Sequence, residues 1–99
     1  MEKPRIVVIT GPTAAGKSRC AIELALKFNG EIISADSMQV YKFMDIGAAK
    51  PSAMDRALVA HHLIDIVLPD EEYTAARFRD DASNKIIGIL SRGKNVFVA

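Results

Sequence analysis

The sequence has one cysteine, no long apolar run and almost no net charge. Because Cys20 has no second cysteine to pair with, an internal disulfide is excluded, as is usual in the reducing cytoplasm. No apolar run approaches the roughly 18 residues that a membrane-spanning helix needs, so we expect no membrane partner and a cytoplasmic location. A net charge of +1 gives no overall attraction to nucleic acid, so a nucleic-acid partner would have to bind at a local site.

The composition is that of one small folded domain. Hydrophobic residues make up 49% of the 99 residues and charged residues 25%, which argues against disorder. The segment from Asn95 to Ala99 has the apolar character of a buried strand, and the sequence stops inside it. Since a natural domain seldom ends on a central strand, we expect residues 1–99 to be the N-terminal part of a longer protein. A monomer is the default expectation.

One segment matches the phosphate-binding pattern G-x-x-x-x-G-K-[ST]. It consists of Gly11, Pro12, Thr13, Ala14, Ala15, Gly16, Lys17 and Ser18. The glycines allow backbone N–H groups to point at phosphate oxygens, the lysine places a positive charge on the terminal phosphate, and the serine hydroxyl can ligate Mg²⁺. An ordinary glycine turn is the alternative, but an apolar strand-like run precedes the motif and helical spacing follows it. We therefore predict a phosphate-binding loop with Ser18 as a metal ligand.

Strand-like and helix-like segments alternate along the chain. The predicted strands cover residues 5–10, 31–35, 63–67 and 95–99. The first predicted helix begins near Gly16, and the second covers residues 53–60. The third is a long helix that Thr74 can cap and that ends at Gly93. This order predicts an α/β fold, a parallel sheet flanked by helices of the P-loop NTPase type, incomplete in this chain.

The predicted helix faces are apolar stripes. In the first helix the stripe consists of Cys20, Ala21, Leu24, Ala25 and Phe28, so we expect the Cys20 thiol to be buried. In the long helix it consists of Phe78, Ala82, Ile86, Ile89 and Leu90.

In parallel sheets ligands bind beyond the carboxyl ends of the strands, so the glycine loop and Asp36 should share one crevice.

A second polar group follows the predicted second strand. Asp36 can hold a metal through water or accept a proton from a nucleophile, and Gln39 can hydrogen-bond a base edge. Asp36 and Ser37 can equally well cap a following helical turn, since both residue types often do so. Residue chemistry alone leaves these two interpretations evenly balanced.

Five blocks of sequence, in the same order, resemble the tRNA dimethylallyltransferase family. The blocks are residues 11–18, 33–42, 44–51, 61–65 and 73–79, and together they cover essentially the whole chain. The resemblance implies that the loop grips the diphosphate of dimethylallyl diphosphate together with Mg²⁺. The exocyclic amine of an adenosine beside the tRNA anticodon then attacks the allylic carbon.

The resemblance also implies roles for individual residues. Asp36 is the general base or orienting acceptor for the amine, and Thr13 contacts the reacting groups. The segment Asp36, Ser37, Met38 and Gln39 makes the first tRNA contact with a flipped adenine. Three positions depart from the family pattern, because the family usually has glycine at Phe43, threonine at Ala48 and proline at Ala60.

Other polar residues have weaker functional interpretations. His61 and His62 are adjacent, so their side chains diverge in a strand and metal binding is disfavoured against a structural role. Asp65 either faces the phosphate crevice or, more often for such a residue, pairs with a cation. Asp45 and Lys50 either border the substrate or form an exposed salt bridge. The other candidates are an acidic turn at residues 70–72 and the non-specific cations Arg77 and Arg79.

Two functions compete with prenyl transfer. The loop, strand and helix also suit a small P-loop kinase that binds ATP, and only the blocks at residues 36–41 and 45–51 argue against it. A remnant that binds phosphate without turnover is the third hypothesis.

Overall fold

The computed structural model describes residues 3–11, 14–44 and 50–99. Its strands are β1 (Ile6–Val8), β2 (Gly30–Ile33), β3 (His61–His62) and β4 (Asn95–Val98). Its helices are α1 (Ala14–Lys27), a 3₁₀-helix (Ser37–Val40), α2 (Ala53–Leu58) and α3 (Ala75–Ser91). The strands form one parallel sheet in the order β1-β4-β2-β3, which confirms the predicted parallel α/β architecture.

Helix α1 covers one face of the sheet. Ala21, Ile22 and Ala25 are buried against Ile32 of β2 and Phe97 of β4. The helix is followed by Asn29 in the left-handed region (φ 52°), where asparagine is one of the few tolerated residues. Gly30 then starts β2 directly over an aromatic ring. An added Cβ there would lie 2.3 Å from the Phe97 ring, so this position accepts only glycine without rearrangement.

Helix α3 covers the opposite face. Thr74 caps it as predicted, with its Oγ1 accepting a hydrogen bond from the Arg77 N–H at 3.1 Å. The predicted apolar stripe packs against Ile33 and Val96 of the sheet. Gly93 follows the helix with φ 77°, a left-handed conformation that favours glycine. Helices therefore flank both faces of the sheet and bury its central strands β2 and β4, whereas Ile6 and Val8 of the edge strand β1 are 49% and 65% exposed.

The predicted strand at residues 63–67 is wrong. Leu63 and Asp65 have φ values of 66° and 56°, which no strand contains. The third strand is instead the preceding pair, His61–His62, and Val67 forms only an isolated bridge with Tyr41. The apolar side chains of Leu63, Ile64 and Val67 are nevertheless buried. The hydrophobic run at residues 63–67 is therefore explained by burial in the core, although the backbone there is not a strand.

The predicted orientation of α1 is wrong at two positions. Cys20 is exposed, and Phe28 is 50% exposed with the Lys27 ammonium 5.4 Å from its ring centre. Ile22, which the predicted stripe left out, is buried instead. The helix is thus rotated toward the Ala21–Ile22–Ala25 side, which packs against Ile32 and Phe97 of the sheet. Within residues 3–11, 14–44 and 50–99, no helix is long and apolar enough to cross a membrane.

Candidate functional site

A cavity of about 330 Å³ opens beyond the carboxyl ends of β2 and β4. Its polar lining comes from Lys17, Ser18, Ser34, Asp36, Gln39 and His61. The phosphate loop and the segment after β2 therefore meet in one crevice, as the positions of the strand ends predicted. Ser37 and Met38 are exposed and do not line this cavity, which separates them from Asp36 and Gln39.

The phosphate-loop motif forms the start of α1. The helix begins at Ala14, two residues earlier than predicted, so Gly16, Lys17 and Ser18 all lie in its opening turns. The first N–H groups of a helix have no partner within the helix and carry partial positive charge, which suits an anion. An added Cβ at Gly11 would lie 3.3 Å from Lys17 Cγ, so the lysine stem passes close to the loop backbone. Pro12 and Thr13 lie outside the described residues.

Asp36 caps the 3₁₀-helix and lines the cavity. Its Oδ1 accepts a hydrogen bond from the Met38 N–H at 3.0 Å. The two preceding residues are held by backbone hydrogen bonds. The Ser34 N–H donates to the His62 carbonyl, and the Ala35 N–H donates to the Ala99 carbonyl. The capping interpretation is therefore correct, and it is compatible with a second role. Within the described part of the chain, Asp36 Oδ2 has no hydrogen-bond partner.

Ser34 is a site residue that the sequence interpretation missed. Its side chain is 4% exposed, and its Oγ lies 2.7 Å from Gln39 Oε1 and 3.3 Å from the Asp36 nitrogen. The sequence interpretation places Ser34 near the end of the predicted second strand and assigns it no role at the site. A usable signal was present, since a hydroxyl directly after the apolar pair Ile32–Ile33 would be buried and would need a partner.

Asp65 is hydrogen-bonded to the 3₁₀-helix that contains Gln39. Its backbone N–H donates to the Gln39 carbonyl at 2.9 Å, while its carboxylate accepts from Lys50 Nζ at 2.7 Å and from Arg56 Nη1 at 3.1 Å. Lys50 also donates to the Tyr41 carbonyl at 2.5 Å. Asp65 therefore pairs with cations, which was the more common of its two expected roles. Lys50 is largely buried in this contact, and Asp45 lies outside the described residues.

The adjacent histidines serve different partners. His61 Nδ1 lies 2.7 Å from the Val59 carbonyl, and burial lowers the pKa of His61 below its ordinary value. His62 Nε2 lies 2.6 Å from Oε1 of Glu31, a buried carboxylate that Arg92 and Lys94 also approach. Both side chains are hydrogen-bonded, in agreement with the structural role. Among the residues that the structure describes, no three His, Cys, Asp or Glu side chains are grouped to hold a metal ion.

The remaining charged candidates lie away from the cavity lining. Residues 70–72 form an exposed turn, as predicted, in which Glu71 accepts a hydrogen bond from the Leu68 N–H. Arg77 lies over the Tyr73 ring, 4.7 Å from its centre, and 3.9 Å from Asp81. Arg77 thus packs locally on α3, and Arg79 is exposed.

Comparison with known proteins places these features in context. A family model described as IPP transferase matches residues 39–99. The chain is 57% identical over 93 residues to tRNA dimethylallyltransferase 9 of Arabidopsis thaliana, covering 94% of this chain and 20% of the relative. It is 56% identical over 97 residues to tRNA dimethylallyltransferase 2 of Geotalea uraniireducens, covering 98% of this chain and 31% of the relative.

Solved structures agree with the fold. The crystal structure of a tRNA isopentenylpyrophosphate transferase from Staphylococcus epidermidis matches with a TM-score of 0.89 at 49% identity, covering 98% of this chain and 32% of that one. A eukaryotic dimethylallyltransferase acting on tRNA matches with a TM-score of 0.87 at 43% identity, over 96% of this chain and 24% of that one. These matches confirm a parallel α/β fold of the P-loop NTPase type. The chain spans between a fifth and a third of the length of these proteins.

Proposed function

This chain belongs to the IPP transferase family, and on that basis we propose that the protein transfers a dimethylallyl group from dimethylallyl diphosphate to a tRNA adenosine. The acceptor is the exocyclic amine of an adenosine beside the anticodon. In the reaction the allylic C–O bond breaks and diphosphate leaves with the bonding electrons. A new N–C bond forms, and the amine loses one proton.

One observation carries the proposal, namely that the phosphate loop and Asp36 line the same crevice. Lys17 and the first N–H groups of α1 would neutralise the departing diphosphate, while Asp36 would accept a hydrogen bond from the attacking amine. An aromatic amine is a weak nucleophile and an allylic carbon tolerates positive charge. Catalysis therefore depends mainly on stabilising the leaving group and aligning the amine.

Mg²⁺ fits the oxygen donors of this crevice. Ser18 lines the cavity near the start of α1, and Asp36 lines the same cavity. Mg²⁺ prefers such oxygen ligands and usually completes its shell with water and substrate phosphates. In our proposal Ser18 is the direct protein ligand, and the ion supplies positive charge to the leaving diphosphate. Thr13 keeps its family role as a contact to the reacting groups.

The tRNA would bind where the 3₁₀-helix borders the crevice. Asp36 and Gln39 would face the flipped adenine, and the exposed Ser37 and Met38 would contact the surrounding RNA. A tRNA substrate and a chain with one cysteine fit a cytoplasmic enzyme. We retain a monomer as the proposed state.

The substitution Asp36→Asn tests this function in the complete protein that contains the chain. Asparagine keeps a capping oxygen for the Met38 N–H, so the fold should survive, but it removes the carboxylate. We expect prenyl transfer to an anticodon stem–loop RNA to fall about 100-fold, in the range of general-base contributions, with unchanged diphosphate affinity. Asp70→Asn, in the exposed turn, is the matched control and should be fully active.

Two results would contradict the proposal. Undiminished transfer by Asp36→Asn would remove the assigned role of the carboxylate. Phosphoryl transfer from ATP to a small acceptor, without any prenylated RNA, would favour the kinase alternative over the whole function.

A further inference from the structure

Ile64 is a buried apolar residue that lines the cavity. It is 3% exposed, yet it belongs to neither of the two apolar core clusters formed by the described residues. It lies instead in the lining of the cavity, together with Lys17 and Asp36. The preceding residue, Leu63, is 1% exposed and packs in the core cluster beside α3. Two consecutive apolar residues therefore have different surroundings, because Leu63 fills the core and Ile64 forms part of the cavity wall.

The backbone on either side of Ile64 has an unfavourable conformation. Leu63 and Asp65 have φ values of 66° and 56°. This left-handed region is disfavoured for residues with a Cβ, and most of all for a bulky residue such as leucine. Such conformations persist only where the surrounding contacts determine them, and they are concentrated at functional sites. The geometry of this turn therefore directs attention to the residue at its centre.

Contacts of Asp65 hold the turn in place. The Asp65 N–H donates to the Gln39 carbonyl at 2.9 Å. The Asp65 carboxylate accepts hydrogen bonds from Lys50 Nζ at 2.7 Å and from Arg56 Nη1 at 3.1 Å. The position of Ile64 in the cavity wall is therefore set by contacts within the protein itself.

The apolar wall that includes Ile64 lies next to the phosphate loop. Ala21 and Ile32 line the same cavity and are 0% and 4% exposed. Ala21 follows Lys17 by four residues on α1, so the two lie on one face of the helix, about one turn apart. A ligand whose phosphate is bound at Lys17 therefore meets apolar surface directly beside it. An allylic diphosphate has the matching arrangement, because its hydrocarbon chain is bonded to the diphosphate.

We propose that Ile64 limits the length of the hydrocarbon chain that the cavity accepts, and so selects a five-carbon allylic diphosphate over longer ones. The proposal rests on the proposed function and deepens it by naming a residue that sets the donor specificity. Isoleucine suits this role because a β-branched side chain has few rotamers, and the backbone here is fixed by Asp65. Ile64 acts by occupying space and takes no part in bond formation or proton transfer.

The test compares dimethylallyl diphosphate with geranyl diphosphate, which carries five further carbons, as donors to an anticodon stem–loop RNA. It uses the complete protein that contains the chain. We expect Ile64→Ala to raise the ratio of kcat/KM for geranyl to kcat/KM for dimethylallyl diphosphate about tenfold or more, the discrimination typical of small volume changes in an apolar pocket. Ile64→Val should give a smaller rise in the same ratio, and it provides the readout if alanine impairs folding.

Leu63→Ala is the matched control. It removes the adjacent buried side chain, which packs in the core cluster beside α3 and is not part of the cavity lining. We expect Leu63→Ala to lower the stability of the protein and to leave the donor ratio unchanged.

A binding measurement without RNA separates donor selection from the reaction. Titration calorimetry with each diphosphate gives the ratio of the two affinities. This ratio should shift toward geranyl diphosphate in Ile64→Ala and stay at the wild-type value in Leu63→Ala.

The outcomes distinguish this inference from the proposed function. A donor ratio that is unchanged in Ile64→Ala, in both transfer and binding, would overturn the role of Ile64 and leave the proposed function intact. A change confined to the KM for RNA would overturn it equally, because Ile64 would then contact the acceptor base. Absence of transfer from both donors by the wild type would overturn the proposed function, whereas the calorimetric ratio would still decide whether Ile64 limits the chain length.

Discussion

The substitution Glu31→Gln should lower the free energy of unfolding by about 2–3 kcal/mol at neutral pH. Glu31 is 3% exposed, yet its carboxylate is surrounded by cationic groups. Arg92 makes two hydrogen bonds to it, and Lys94 Nζ lies 3.5 Å from Oε2. Burial opposes ionisation, but the Arg92 and His62 contacts outweigh it and lower the pKa of Glu31 from 4.5 to about 2.

The magnitude follows from this shift. At about 1.36 kcal/mol per pKa unit, the lowering corresponds to roughly 3 kcal/mol of stabilisation of the charged form. Glutamine keeps one acceptor oxygen for the arginine, and Arg92 and Lys94 are exposed enough to be hydrated after the change. These two effects place the expected loss slightly below the full value.

The pH dependence fixes the sign. Because the pKa of Glu31 is lower in the folded protein than in the unfolded chain, its stabilisation is fully present above pH 4.5. It is lost as the pH falls from 4.5 toward about 2. Urea unfolding of wild type and Glu31→Gln across this range should therefore show curves that separate at neutral pH and converge in acid. Glu72→Gln, in the exposed turn before α3, is the control and should follow the wild type. A gap that stays constant into the acid range would refute the reasoning.

Two further substitutions test the backbone. Phe43 is 82% exposed and has φ 64°, a conformation that costs a residue with a Cβ about 1–2 kcal/mol, so Phe43→Gly should raise the urea midpoint while Lys42→Gly lowers it. A lower midpoint for Phe43→Gly would contradict this account. Gly30→Ala should destabilise the protein by about 1–3 kcal/mol, because the new Cβ would lie 2.3 Å from the Phe97 ring and 2.9 Å from the Asn95 carbonyl. Combining it with Phe97→Leu should cost less than the sum of the two single changes, and strict additivity in thermal unfolding would argue against the clash.

Local signals in the sequence predicted much of the fold. The Thr74 cap and the glycine after α3 depend on contacts within a few residues, and the apolar stripe of α3 is visible in its helical spacing, so the sequence alone identifies all three. The phosphate loop is equally local, and its meeting with Asp36 follows from the geometry of parallel strand ends. The left-handed φ of Phe43 also explains why the resembling family usually has glycine there.

Features that depend on distant partners could not be predicted. Leu63 and Val67 are buried by α3 and the 3₁₀-helix segment, so their hydrophobic character did not distinguish a strand from an irregular core segment. The partner Arg92 that stabilises Glu31 lies 61 residues away. The rotation of α1, which exposes Cys20, depends on how Ile32 and Phe97 fit against the helix. Ser34 acquires its role only when the 3₁₀-helix brings Gln39 back toward it.

The position of β4 between β1 and β2 has a consequence for how the protein is made on the ribosome. Both β1 and β2 pair with β4, which is the last of the four strands along the chain. The Arg5 N–H, for example, donates to the side chain of Asn95, ninety residues later. Pairings this distant are slow to form, and among the strands that the structure describes β1 pairs only with β4. During synthesis the phosphate-loop segment therefore emerges early but gains its β1–β4 pairing only after residue 98 has left the exit tunnel, and unpaired strand edges of this kind are prone to aggregate until then.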